Sequence, residues 1–301
     1  MAEQLDFVPK LGTANEVIPN VVFPGTHVAC ILGECLRPLD RFADSGDERK
    51  PDVLFCSFPS LLPDYAQRYV DGAKALFVRG EFLAVRAFGN RAVRLPLSEF
   101  DQDLFDRSTH DVISARPPTV YYRMVDYNPD EFEYLEDTPD NGLRGSGRLL
   151  HDDRLLAHEL RVIEAFMAGG KDVCVVLPYM TTPYEHEQIA AVVREVRPNQ
   201  IGVMVERVAH IRQIRDYPLC DFVFPGPSDL TADFNNIARG AYRHGVGEAP
   251  VVELCQQLAV DAASLGIPDY IACKILVNSI TAQKGQIVRR AYMASQLALN
   301  I

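Results

Sequence analysis

Ile201-Gly202-Val203-Met204-Val205-Glu206, followed by Cys220-Asp221-Phe222-Val223-Phe224-Pro225-Gly226-Pro227-Ser228-Asp229-Leu230, is the stretch whose reading decides the fold. Each half is an apolar, largely β-branched run that leads into a carboxylate. A strand buried on both faces in a parallel sheet reads as such a run, and the C-terminal ends of barrel strands are where barrel enzymes keep their chemistry. Two carboxylates delivered by neighbouring strands can share one hard divalent cation, which takes oxygen ligands and leaves positions for a substrate.

Working outward, strand-like runs alternate with helix-like stretches from about residue 51. The expected strands are Val53–Ser57, Ala75–Arg79, Val120–Val125, a short one near Leu143, Val173–Leu177, Ile201–Glu206, Phe222–Phe224 and Val251–Leu254. Helical periodicity marks Asp153–Ala168, with Leu155, Leu156, Leu160, Ile163 and Phe166 on one face, and Tyr184–Val196. Eight such units imply a (β/α)8 TIM barrel over residues 51–301. Residues 1–50 read as an N-terminal extension packed on the barrel, and about Lys274–Leu299 as a last, partly apolar helix suited to closing the barrel or to a homodimer contact.

The 301 residues carry 30 Lys and Arg against 41 Asp and Glu, a net charge of −11, with the basic residues scattered. That balance argues against nucleic acid or an anionic membrane as a main partner. An anionic small molecule would need a few placed arginines. The opening MAEQLDFVPKLG lacks a basic segment followed by an apolar one, and no run approaches a bilayer span. The seven cysteines, with no CxxC pair, read as reduced thiols, so a cytoplasmic protein is expected.

These strand ends resemble the phosphoenolpyruvate/pyruvate-binding barrel of the PEP-utilising enzymes: phosphoenolpyruvate synthase, pyruvate phosphate dikinase and enzyme I of the sugar phosphotransferase system. Gly72–Leu83 (GAKALFVRGEFL) is similar to the family's strand-two signature, with Arg79 and Glu81. Arg123 in YYRMVD, then Asp126 and Asp130, follow at the family spacing, and Arg144 in NGLRG matches a further substrate arginine. Pro178-Tyr179-Met180 with Glu185 resembles a family turn and helix start. The resemblance implies Glu206 and Asp229 as ligands of Mg²⁺ (or Mn²⁺), with Arg79, Arg123, Arg144, Ser228 and Arg239 around the substrate. Cys255 in CQQLAVD would move the proton at the methylene carbon, with Arg123 and Arg144 assisting the chemistry.

The chain departs from the family at Ser228, where asparagine is usual, at Gln256 after the cysteine, at Glu131 in place of a lysine, and by an insertion between Arg144 and Arg148. Gly226-Pro227-Ser228-Asp229-Leu230 is closer to the Gly-Pro-x-Asp-Leu of HpcH/HpaI-type aldolases. The family's phospho-histidine domain has no counterpart beyond a faint echo at Thr26-His27. Phosphate would then come from a phospho-histidine carrier in trans.

Three activities therefore stand open. The first is Mg²⁺-dependent phosphoryl chemistry on phosphoenolpyruvate and pyruvate through the enolate, whose charge a metal and arginines can hold. The second is an aldolase, lyase or mutase using the same enolate. The third is a silent barrel that senses phosphoenolpyruvate or binds a partner. Plainer roles compete for single residues. Glu206 or Asp229 could cap helices, Cys255 could be a core thiol, and Arg79 could simply pair with Glu81.

Overall fold

The structure is a computed structural model. It describes residues 53–55, 59, 70–81, 83, 102–126, 143–180, 182–217, 220–237 and 290–292, with scattered positions between 251 and 265. Seven strands form one sheet: β1 (Val53–Phe55), β2 (Ala75–Arg79), β3 (Thr119–Arg123), β4 (Asp172–Leu177), β5 (Gln200–Val205), β6 (Val223–Pro225) and β7 (Arg290–Tyr292). All pair in parallel, in the order β6-β5-β4-β3-β2-β1-β7. The helices are α1 (Gln102–Ser114), α2 (Gly145–His151), α3 (Asp153–Ala168), α4 (Pro183–Glu195), α5 (Val208–Arg212) and α6 (Pro227–Phe234).

The strands read as unbroken apolar runs because both faces are buried. Leu76, Val78, Val120, Tyr122, Val173, Val175, Leu177, Ile201, Val203 and Val205 pack in one core with Val162, Ile163 and Phe166 of α3 and Ile189, Ala190 and Val193 of α4. The alternate positions, Ala75, Phe77, Tyr121, Cys174, Val176, Met204, Phe222 and Phe224, make a second core on the other face. In the sheet order β2 and β6 are four spacings apart, which in a flat sheet is about 19 Å. Phe77 and Phe224 nevertheless meet edge to face at 4.9 Å between ring centroids, and Tyr121 meets Phe224 at 5.3 Å. The sheet is therefore curled into a half-barrel, and its concave face is filled with aromatic rings, each worth roughly 1.5–3 kcal/mol of burial. Side chains alternate along a strand, so two residues beyond Phe77, Tyr121 and Met204 the concave side receives Arg79, Arg123 and Glu206.

Local signals start the helices where the sequence placed them. Asp152 caps α3 by accepting from the Arg154 and Leu155 amides at 3.2 and 3.1 Å, and Thr182 caps α4 through the Glu185 amide with Pro183 behind it. The buried face of α3 differs from the expected one. Leu155, His158, Glu159, Val162, Ile163 and Phe166 are buried, while Leu156 and Leu160 are partly covered.

Several expectations are corrected. Among the described residues, from Leu143 on, there is no strand before α2, and β3 pairs directly with β4. Residues 251, 253 and 254 are helical, so Val251–Leu254 is not the eighth strand. Residues 290–292 are a strand beside β1, inside the span expected as the last helix. Among the described residues seven parallel strands form a curled half-barrel sheet with β6 and β7 at its edges. The proposed extension 1–50, with His27, lies outside the described residues. No helix among the described residues is long and apolar enough to cross a membrane.

Candidate functional site

Four carboxylates and three arginines meet beyond the C-terminal ends of β2, β3, β5 and β6, in two groups. In the first, Arg79 Nε donates to Glu81 Oε1 at 2.6 Å, and a terminal nitrogen of Arg123 donates to the same oxygen. Glu81 and Arg123 are both buried. Glu81 Oε2 and Arg123 Nε are buried too and have no hydrogen-bond partner among the described residues. Buried polar atoms are rarely left so, and a polar group in the space beyond the strand ends would satisfy them.

In the second group Arg144 grips Asp126 with two bonds, Nη2 to Oδ2 at 2.6 Å and Nε to Oδ1 at 3.1 Å, and extends Nη1 to Asp229 Oδ1 at 3.3 Å. Its guanidinium lies 4.0 Å from the centroid of the Tyr179 ring, a stacking that favours a desolvated cation. Arg144 is aimed by its neighbour. Gly145 has φ +53°, and a side chain there would run into the Tyr179 carbonyl; only glycine takes this position without strain.

Glu206 ties the groups together. Its Oε2 accepts the Tyr179 amide at 3.1 Å and its Oε1 faces Arg123 Nη1 at 3.7 Å. The side chain lies over Gly226, where an added Cβ would stand 2.6 Å from Glu206 Cγ and 3.0 Å from Oε1. Gly226 begins α6, and Asp229 follows in the first turn of that helix. The cap-like roles are not realised: Gly226 caps α6, Arg207 caps α5, and neither cap makes a side-chain bond.

Electrostatics separate these groups. Burial pushes the Glu206 carboxyl up to about 8, and the charges of Asp229 and Asp126 push the same way, against the pull of Arg123 and Arg144. Asp126 is equally buried, but Arg144 holds its carboxyl below the ordinary value. Arg144 is raised well above its ordinary value, since Asp126 and Asp229 outweigh the effect of burial. Charge repulsion between Glu206 and Asp229 in a site of hard oxygen donors fits a divalent cation held between them. Among the described residues no group of three or more His, Cys, Asp or Glu is placed to hold a metal; water and substrate would supply its other ligands.

Of the residues expected from sequence, the structure brings together Arg79, Arg123, Arg144, Glu206 and Asp229, with Ser228 in the helical turn of Asp229. Arg239 and Cys255, with Asp130, Glu131 and Gln256, lie outside the described residues. Arg79 does pair with Glu81, as the plainer reading had it, yet shares that oxygen with Arg123. Glu81, Asp126 and Tyr179, seen in sequence only as motif residues beside the arginines and strand ends, are drawn into the site as their partners. Two described cysteines, Cys174 and Cys220, are buried, and burial pushes each thiol up to about 12; neither is a ready nucleophile.

No protein-family description and no curated protein sequence matches the chain. Among solved structures it is similar to an HpcH/HpaI aldolase from Desulfitobacterium hafniense DCB-2, at 13% identity, covering 86% of this chain and 92% of that one, with a TM-score of 0.46. It is similar to an HpcH/HpaI aldolase/citrate lyase family protein from Burkholderia cenocepacia J2315, at 13% identity over 87% and 94% of the two chains, TM-score 0.46. It is also similar to a citrate lyase from Burkholderia xenovorans LB400, at 12% identity over 83% and 76%, TM-score 0.47. At these scores the likeness carries nothing about activity, which has to be read from the site's own residues.

Proposed function

We propose that the chain is a divalent-metal-dependent enzyme that forms the enolate of pyruvate or a related 2-oxo acid and uses it to make or break a carbon–carbon bond. The observation that carries this reading is the division of charge across the site. Two guanidiniums, Arg79 and Arg123, against the one carboxylate of Glu81 leave a single positive charge. One guanidinium, Arg144, against Asp126 and Asp229 leaves one negative charge, and Glu206, whose carboxyl is raised to about 8, adds a second once a bound cation displaces its proton. A divalent cation neutralises the second group, and the single carboxylate of a 2-oxo acid neutralises the first.

Glu206 and Asp229 would hold Mg²⁺ or Mn²⁺, which would supply Lewis-acid charge to stabilise an enolate. Arg123, between Glu81 and Glu206, is proposed to bind the substrate carboxylate, which the unsatisfied Nε of its guanidinium supports. Arg144, clamped by Asp126 and stacked on the Tyr179 ring, holds Asp229 in place. Cys255 is proposed to move the proton at the methyl carbon, as the sequence resemblance implies.

Phosphoryl transfer fits this charge pattern less well. Arg79, Arg123 and Arg144 are all engaged by carboxylates, and one surplus positive charge falls short of what phosphoenolpyruvate brings. On this reading no phospho-histidine carrier is needed. The test is to incubate the protein with Mg²⁺ and pyruvate in D₂O and follow the methyl protons by NMR. Exchange that needs the metal and disappears in Glu206→Gln is expected; exchange that survives Glu206→Gln, or never occurs although pyruvate binds, would refute the proposal.

A further inference from the structure

Helix α3 runs behind the sheet, and its buried stripe is hydrocarbon except at His158 and Glu159. Glu159 is 0% exposed. Its Oε2 accepts two hydrogen bonds, from the Val125 amide at 2.8 Å and from the Tyr122 hydroxyl at 3.0 Å. Its Oε1 is buried without a hydrogen-bond partner among the described residues. Such a group in a helix face that otherwise excludes water needs a reason.

The reason lies at the strand ends. In the β2–β3 register Arg79 is opposite Arg123, and at Gly80 the chain of β2 has already turned helical. The Val125 amide, two residues farther on, therefore has no strand opposite it on the β2 side, and Glu159 supplies the acceptor. A Cβ on Gly80 would stand 2.7 Å from the Tyr122 hydroxyl oxygen, 3.0 Å from the Arg123 carbonyl and 3.0 Å from the Val125 nitrogen. The turn after β2 thus presses onto the very atoms that Glu159 bonds. On one side of this contact are Arg79 and Glu81; on the other are Arg123 and Asp126.

We infer that Glu159 is a positioning residue, a clasp from the helix layer that fixes the turn after β3 against the turn after β2 and so sets the spacing of Arg79, Glu81, Arg123 and Asp126. Its role in catalysis rests on the enolate reading of that cluster. Its role as a clasp does not. An oxygen with two lone pairs takes both converging donors, whereas a hydrocarbon would strand them. Burial pushes the carboxyl up to about 8, the Val125 and Tyr122 bonds pull it down, and Glu81, the charge facing it from the strand ends, adds to the rise. Near neutral pH it therefore carries a proton, and glutamine reproduces it with one acceptor oxygen and a nitrogen at the Oε1 position.

The experiment compares Glu159→Gln, Glu159→Met and Tyr122→Phe with the unaltered chain, using amide hydrogen exchange and the Mg²⁺-dependent deuteration of pyruvate. Displacing a catalytic group by about 1 Å costs about a hundredfold in rate. Glu159→Met is expected to lower kcat about ten- to a hundredfold, and to lose about tenfold in protection at the Val125 amide and residues 79–81 while the rest of α3 and β4 keep theirs. Glu159→Gln should keep both, a rescue that mere filling of space would not require. Unchanged Val125 protection in a folded Glu159→Met, or a Glu159→Gln as impaired as Glu159→Met, overturns the clasp. If Glu159→Met does not fold, Tyr122→Phe decides, because it must lower protection at residues 79–81; unchanged protection there overturns the proposal. A wild-type chain that deuterates nothing defeats the enolate reading alone, since protection still decides the clasp.

Discussion

Replacing Glu159 with glutamine should change how stability depends on pH. The Glu159 carboxyl sits at about 8 in the folded protein against an ordinary 4.5, so the folded state holds its proton more tightly than the unfolded state. The stability this group contributes is fully present below 4.5 and is lost as pH rises through about 8. At about 1.4 kcal/mol per pH unit, the whole contribution is ~5 kcal/mol. Roughly 2 kcal/mol of it has gone by about pH 6, and the remaining ~3 kcal/mol goes by about pH 9. Glutamine has no proton to lose. Glu206 and the other titrating groups that do not face Glu159 are common to both proteins and largely cancel in the difference. Urea unfolding at pH 6 and pH 9, read as free energies at equal slope, should show the wild-type chain losing ~3 kcal/mol more than Glu159→Gln across that interval. Parallel losses in the two proteins would refute the placement of this carboxyl in a closed apolar layer.

Asp126→Ala should destabilise the fold by about 1–3 kcal/mol in thermal or urea melts, because it leaves the partly buried Arg144 guanidinium without its two-bond partner and the bond to Asp229 alone; no measurable loss would place that pair in water. Gly226→Ala puts a methyl 2.6 Å from Glu206 Cγ, so Mn²⁺ affinity should fall together with about 1–3 kcal/mol of stability, and unaltered binding by calorimetry would speak against this packing. Phe224→Ala removes the ring that touches both Phe77 and Tyr121 and should cost about 3–5 kcal/mol. A much smaller loss would mean that the sheet is not curled around it.

Much of the sheet was legible because burial on both faces leaves little choice of residue. Ala75–Arg79 was placed to the residue and Val173–Leu177 to within one. The expected strand near Leu143 rested on a single apolar residue; from there the Gly145 turn and the Tyr179 carbonyl it meets take the chain into a helix. Val251-Val252-Glu253-Leu254 has β-branched residues, yet Val251 is buried, Glu253 exposed and Leu254 partly covered, a spacing of three that suits a helix. At the site, the positions of Arg79, Arg123, Arg144, Glu206 and Asp229 were legible, as was the Arg79–Glu81 pair, but the other partners were not. Which carboxylate an arginine takes is settled by three-dimensional approach, as when Arg79 and Arg123 converge on Glu81. Glu159 could have been noticed. It falls four residues from both Leu155 and Ile163, on the apolar stripe of α3, where a carboxyl is out of place.

The central claim is that Glu206 and Asp229 hold one divalent cation between them. Titrating Mn²⁺ into the protein, with the free ion followed by electron paramagnetic resonance, tests it directly. The expected result is one site per chain, at least about tenfold weaker in both Glu206→Gln and Asp229→Asn while both variants keep the wild-type fold. Wild-type affinity in either folded variant would contradict it.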